Sequence, residues 1–255
     1  MLENKPNHII NNFQAKDSNY WDKIEKERRS SVDKIKSVLS WASWSITYGV
    51  MYLLSIFHKV ETIYEDRNFL SVHRPIIVIS NHRGIFDPWH ISSAIPFKIL
   101  FGRIFPIRVY SSVELSEKNT SGRILKTLGI MRVVYFLYNA ILLPKSGTFD
   151  EKIQPLLEAI KKNESILIFP EGQLIFDDSI SDFKKGVVRV HQLTGALILP
   201  IAIKYEKKAS IFRKVNIVIG KPFAIPEDFF DSSTDDFRSA RNYLREKVIS
   251  LYEKI

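Results

Sequence analysis

The chain contains no cysteine, which removes disulfides and thiolate metal sites from consideration and leaves its redox compartment open. The signatures of several common chemistries are missing too. There is no G-x-S-x-G nucleophile elbow, no P-loop lysine motif, no G-x-G-x-x-G fingerprint and no H-E-x-x-H pair. A serine acyl-enzyme, nucleotide-driven chemistry and a zinc-helix hydrolase therefore lack their usual footing. His73, His90 and His191 make no metal-ligand spacing with acidic residues, so no metal is expected. No internal repeat or low-complexity linker breaks the chain, and Ser37 to Phe57 lacks any formally charged residue.

What is present sets further bounds. With 255 residues, 45% of them hydrophobic, the chain can bury a full core as one large domain, or as one domain with an appendage. A net charge of +9 suits anionic partners: phospholipid, nucleic acid, or phosphorylated and CoA-type small molecules. Nucleic acid is not expected, because the basic residues are dispersed and Glu206-Lys207-Lys208 reads as a short solvated turn.

Residues 1–67 are expected to form an N-terminal helical, membrane-associated segment, and residues 68–255 the main domain. Trp21, Ile24, Val32 and Ile35 lie at helical spacing in a polar stretch. The uncharged Ser37 to Phe57 follows, where Trp41, Trp44, Tyr48 and Tyr52 alternate with aliphatics and are diluted by serines. Tryptophan and tyrosine favour the headgroup level of a bilayer, so the segment reads as an interfacial helix. A membrane span and a helix buried on the main domain stay open. It begins too late and lacks the cleavage pattern for a signal peptide.

From Asn68 onward, short aliphatic runs alternate with helix-period segments, the pattern of an α/β fold. Strands are expected at Ile76 to Ile79, Ile104 to Tyr110, Ala140 to Leu143, Ile166 to Phe169, Leu197 to Ile203 and Val215 to Ile219. Helices are expected at Pro88 to Ala94, Gly122 to Leu128, Phe149 to Lys161, Lys184 to Leu193 and Asp235 to Tyr252. Gly129 to Tyr138 fits a strand, an insertion or a membrane-facing patch.

Ser80-Asn81-His82-Arg83-Gly84-Ile85-Phe86-Asp87 sets a histidine five residues ahead of an aspartate, directly after an apolar strand. An imidazole steered by a carboxylate can take a proton from an alcohol near neutral pH. Gly84 is expected to give the freedom to turn the chain back. Asp87-Pro88 also reads as an ordinary helix start, with Asp87 as N-cap. A second strand runs into Phe169-Pro170-Glu171-Gly172, and Phe183-Lys184-Lys185-Gly186 then opens a helix. Lysines at a helix N-terminus beyond the carboxyl ends of parallel strands suit an anionic ligand. Either piece alone reads more readily as a Pro-Glu-Gly turn or a solvated lysine pair.

These pieces and Leu199-Pro200-Ile201-Ala202-Ile203 occur in one order. From about Pro75 to Pro226 the chain resembles the glycerolipid acyltransferase family, typified by 1-acylglycerol-3-phosphate acyltransferase, whose blocks read NHxxxxD, a G-x5-R stretch, FPEGTR and a VPVAI-like strand. The resemblance implies an α/β fold with a mixed central sheet flanked by helices. It implies transfer of an acyl group from acyl-CoA or acyl-carrier protein to a lipid-precursor hydroxyl, with no bound cofactor and no metal. His82 would be the general base and Asp87 its orienter. Lys145, Glu171, Gly172, Lys184 and Lys185 would bind the acceptor or its phosphate. Backbone amides near His82 or at the Gly172 turn would hold the oxyanion.

Membrane phospholipid and a lysolipid acceptor are the implied partners, at the cytosolic face of a membrane. Two departures bear on the acceptor. Gln173 and Leu174 stand where the family has threonine and arginine, and Asn139 to Lys145 matches the second block with asparagine for glycine and lysine for arginine. Lysine neutralises a phosphate without the bidentate fork of arginine. Lysophosphatidate is the expected acceptor, while another lysolipid, glycerol phosphate and a non-phosphorylated alcohol stay open. A non-catalytic basic membrane-surface protein on the same scaffold is the competing class.

Overall fold

Ile76-Ile77-Val78-Ile79-Ser80 is buried at every position, as a strand must be when both faces of its sheet are covered. In the computed structural model this strand, β2 (Ile76–Ser80), lies at the centre of a seven-stranded sheet. The structure describes residues 31–57, 60–66, 75–84, 86–111, 130–144, 146–206, 214–230 and 236–255. The other strands are β1 (Val60–Tyr64), β3 (Ile107–Ser111), β4 (Ile141–Leu142), β5 (Ser165–Ile168), β6 (Leu197–Tyr205) and β7 (Val215–Ile219), in the order β1-β7-β6-β2-β5-β3-β4. Every neighbouring pair is parallel except β6 with β7, so the sheet is mixed.

The pleat divides the core in two. Ile77 and Ile79 of β2, Ile166 and Ile168 of β5, and Val218 of β7 face one layer. That layer is built by α4 (Phe149–Lys161), α5 (Gly186–Thr194) and α6 (Arg238–Tyr252). Ile76 and Val78, Leu167, and Ile217 and Ile219 of the same strands face the other. There α1 (Ser31–Phe57), α2 (Asp87–Ala94) and a helical turn at 97–104 complete the layer. The start of α4 is set by its sequence: Thr148 and Glu151 form a reciprocal capping box. Gly195, in the left-handed region at φ +66°, ends α5.

Two sequence expectations change. The sheet begins at β1, ahead of residue 68, and pairs it with β7 near the far end of the chain. Ile130 to Leu137 forms a helix, α3, and not a strand. The helix expected at Gly122 to Leu128 lies outside the described residues.

The uncharged segment is helical, but among the described residues no helix is long and apolar enough to cross a membrane. One stripe of α1 packs on α2 and α3. Trp44, 1% exposed, joins the core, and its ring meets Tyr138 edge-on at 4.9 Å. Thr47 and Tyr138 hydroxyls are hydrogen-bonded. The remaining faces expose Val38, Trp41, Ile46 and Leu53.

Candidate active site

Past Ser80 the backbone of β2 leaves β6, but the ladder continues through a side chain. Asn81 Nδ2 donates to the Ile203 carbonyl at 2.8 Å and its Oδ1 accepts the Ile203 N–H at 2.9 Å. A side-chain amide carries one donor and one acceptor at peptide spacing, so asparagine can stand in for a strand residue. The next residue, His82, thereby leaves the carboxyl end of the central strand at a fixed place, where parallel α/β sheets gather ligands.

The loop after β5 fixes His82 from the other side. Glu171 Oε1 accepts the His82 N–H at 2.8 Å, and the Ile175 N–H donates to the His82 carbonyl at 2.9 Å. The His82 ring lies flat on Phe169, with centroids 4.0 Å apart and planes at 16°. Its Nδ1 meets Asp87 Oδ2 at 2.8 Å. That oxygen also accepts the N–H groups of Arg83 at 2.6 Å and Gly84 at 2.9 Å. The other oxygen, Oδ1, accepts the Tyr205 hydroxyl at 2.6 Å.

Asp87 is 0% exposed, and each of its oxygens is met by a hydrogen-bond donor, as a buried carboxylate requires. With Nδ1 donating to it, Nε2 is the ring nitrogen left for chemistry.

One local expectation is corrected. Asp87 does not cap α2: Phe86 occupies the cap position, no side chain caps the helix, and the Asp87 carboxylate points back to the loop. Gly84 turns the chain without entering the left-handed region, its carbonyl accepting the Asp87 N–H at 3.1 Å, whereas Gly172 beside Lys184 does enter it, at φ +68°.

His82 opens into a cavity of about 480 Å³ with mostly apolar and aromatic walls. Trp44, Trp89, Tyr138, Phe149 and Leu156 are among them, and α1 thus contributes a wall through Trp44. Tyr110 also lines it; burial pushes its hydroxyl up to about 12, so it stays a neutral donor, here to the Lys152 carbonyl at 3.3 Å. Cationic lining among the described residues comes from Lys152 and Lys184.

The expected ligand residues part company. Gly172 and Lys184 line the cavity. A Cβ on Gly172 would sit 2.5 Å from Lys184 Nζ, so the missing side chain leaves the path for the lysine. Lys185 turns its ammonium onto the Phe149 ring, 4.5 Å from the centroid. Glu171, 2% exposed, spends Oε2 on the Ser181 N–H and hydroxyl at 3.0 and 3.1 Å. Lys145 lies outside the described residues.

The amides suggested for an oxyanion are already committed: Arg83 and Gly84 to Asp87, His82 to Glu171, and Gly172 to the Phe169 carbonyl at 3.0 Å. Asn139, matched to the family's glycine, has φ +50°, the region asparagine tolerates best after glycine. Sequence reading missed Lys152, Tyr110, Tyr138 and Tyr205, none of which carries a motif signal of its own.

A family model described as Acyltransferase matches residues 56–204, more than half of the chain. The crystal structure of the 1-acyl-sn-glycerophosphate (LPA) acyltransferase PlsC from Thermotoga maritima is similar in fold, with a TM-score of 0.53 at 19% identity over 92% of this chain and 87% of that one. No curated sequence matches significantly. The matched span begins before β1 and ends within β6, so it takes in both the His82–Asp87 pair and the Glu171 loop, and the chain belongs to the acyltransferase family.

Proposed function

We propose that the protein transfers a fatty acyl group from acyl-CoA or acyl-carrier protein to the hydroxyl of a lysophospholipid, with 1-acylglycerol-3-phosphate as the favoured acceptor. The observation that carries this reading is the buried His82 Nδ1 to Asp87 Oδ2 contact of 2.8 Å at the mouth of an apolar cavity. Nε2 takes the acceptor's hydroxyl proton while that oxygen attacks the thioester carbonyl. The tetrahedral adduct collapses by breaking the C–S bond, and the imidazolium returns the proton to the leaving thiolate. Asp87 favours the imidazolium form throughout. No acyl-enzyme is needed, because the thioester is already activated.

The aromatic walls suit an acyl chain, and Lys152 and Lys184 suit a phosphate. A lysine in the same cavity wall as His82 also suits a developing oxyanion. The exposed apolar residues of α1 support adhesion to phospholipid at headgroup depth, on the cytosolic side where both donors occur. Purified protein in detergent, given an acyl-CoA and a panel of lysolipid, glycerol phosphate and neutral alcohol acceptors, tests the reading by mass spectrometry of products. The expected result is acylation of the phosphorylated lysolipid, lost in His82→Ala. No transfer to any acceptor, or near-normal turnover in His82→Ala, overturns it.

A further inference from the structure

The geometry points to Tyr205, backed by His90, as the positioning residue that sets the aim of Asp87 on His82; this rests on the acyl-transfer reading above. The four groups form one line. His82 Nδ1 lies 2.8 Å from Asp87 Oδ2, Asp87 Oδ1 lies 2.6 Å from the Tyr205 hydroxyl, and that hydroxyl lies 2.9 Å from His90 Nδ1.

The directions follow from proton counting. An ionised carboxylate only accepts, so the single Tyr205 proton goes to Asp87. The contact with His90 must then run the other way, with Nδ1–H donating to the tyrosine oxygen, which fixes the His90 tautomer. Each bond polarises the next in a site where Asp87 is 0% exposed and His90 is 7% exposed.

The two carboxylate oxygens are not equivalent. Oδ2 has three donors, two of them backbone amides whose positions are set by the loop. Among the described residues Oδ1 has Tyr205 alone. Those amides anchor one oxygen, but rotation of the carboxylate plane about it is set by the other. That rotation decides how the Oδ2 lone pair meets the imidazole. Tyr205 is delivered by the same strand that Asn81 grips two residues earlier, at Ile203, so the base and its orienter are referenced to one rung of β6. The His90 and Tyr205 rings also meet edge-on, with centroids 5.6 Å apart.

Tyr205→Phe tests this because it keeps the ring and removes only the hydroxyl. The charged and titratable groups about the pair are His90 on α2, Tyr205 on β6, Arg83 beside them, Glu171 on the His82 backbone and Lys184 in the cavity wall. With the hydroxyl gone, the carboxylate plane can turn about Oδ2, and its lone pair meets the imidazole less well. The expected result is a kcat about tenfold lower with both KM values unchanged. The downfield Nδ1 proton resonance of His82, read by NMR without substrate, should shift.

His90→Gln, which keeps a donor, should stay near wild type in kcat. His90→Leu should fall, and adding it to Tyr205→Phe should cost nothing further, since His90 acts through the hydroxyl. Wild-type kcat in Tyr205→Phe, or a loss that follows only the folded fraction with the resonance unmoved, overturns the assignment. An inactive wild-type chain defeats the acyl-transfer reading instead, while the resonance still decides the positioning.

Discussion

Glu171 Oε1 accepts the backbone N–H of His82 at 2.8 Å, so the carboxylate that follows β5 holds the residue that follows β2. Its second oxygen binds Ser181, which ties the base to the loop leading into α5. Glu171→Gln leaves either His82 or Ser181 facing an amide NH2 group in place of an acceptor. The expected cost is about 1–3 kcal/mol of stability, read by urea denaturation, together with a lower kcat. A KM rise confined to phosphorylated acceptors, with stability intact, would instead place this carboxylate against the ligand.

His82→Ala should abolish transfer while the fold persists, since the side chain adds a stacked ring and one hydrogen bond. Asp87→Asn should lower kcat by about 10²- to 10⁴-fold. Because Asp87 does not cap α2, circular dichroism of Asp87→Asn should match wild type. A loss of helix signal would assign the residue a structural role first.

The cation prediction separates the lysines by position. Lys184→Met and Lys152→Met should raise KM for a phosphorylated acceptor about tenfold more than for a neutral alcohol. Lys185→Met should do much less, because its ammonium sits on the Phe149 ring. Equal effects of all three on both acceptors would reject phosphate reading by the cavity wall.

His191 gives a pH dependence outside the site. Its Nδ1–H donates to the Ala196 carbonyl at 2.8 Å and its Nε2 accepts the Ile225 N–H at 3.1 Å, so only the neutral ring fits. Burial pushes its pKa below the ordinary 6.5, outweighing the Ala196 bond that raises it. The folded state therefore binds the proton less readily than the unfolded chain. Stability is complete above about 6.5 and is lost as pH falls from there through the depressed folded value. Thermal unfolding at pH 7.5 and 5.5 should show a larger drop in wild type than in His191→Gln. Identical drops would assign the acid sensitivity elsewhere.

Trp44 and Trp41 lie on one helix with opposite consequences. Trp44 is 1% exposed and Trp41 is 49% exposed. Trp44→Ala should cost about 3–5 kcal/mol and open the cavity wall. Trp41→Ala should leave the unfolding midpoint nearly unchanged and weaken binding to anionic phospholipid vesicles in sedimentation assays. Unaltered vesicle binding would remove this face of α1 as a lipid contact.

Sequence by itself determined the central strand, the helix at Phe149–Lys161 with its capping box, and the ordered blocks that carry His82, Asp87 and Glu171. Each is local: continuous apolar residues, a cap three residues from its partner, or a motif of adjacent positions. The pairing of β1 with β7 was not legible, because strand periodicity names a buried face and not the distant strand beside it. Nor could composition show that α1 buries one stripe on the domain and exposes the rest.

At the site, the spacing of His82 and Asp87 suggested a pair, but the sheet order placed Tyr205 of β6 and the Glu171 loop of β5 on either side of β2. Lys152 entered the cavity by the same route, through packing of α4 on α5 and β5. Local sequence specifies which atoms can donate, accept and turn the chain; which of them meet is decided by long-range strand pairing, since residues far apart in the chain become neighbours only when the whole core closes.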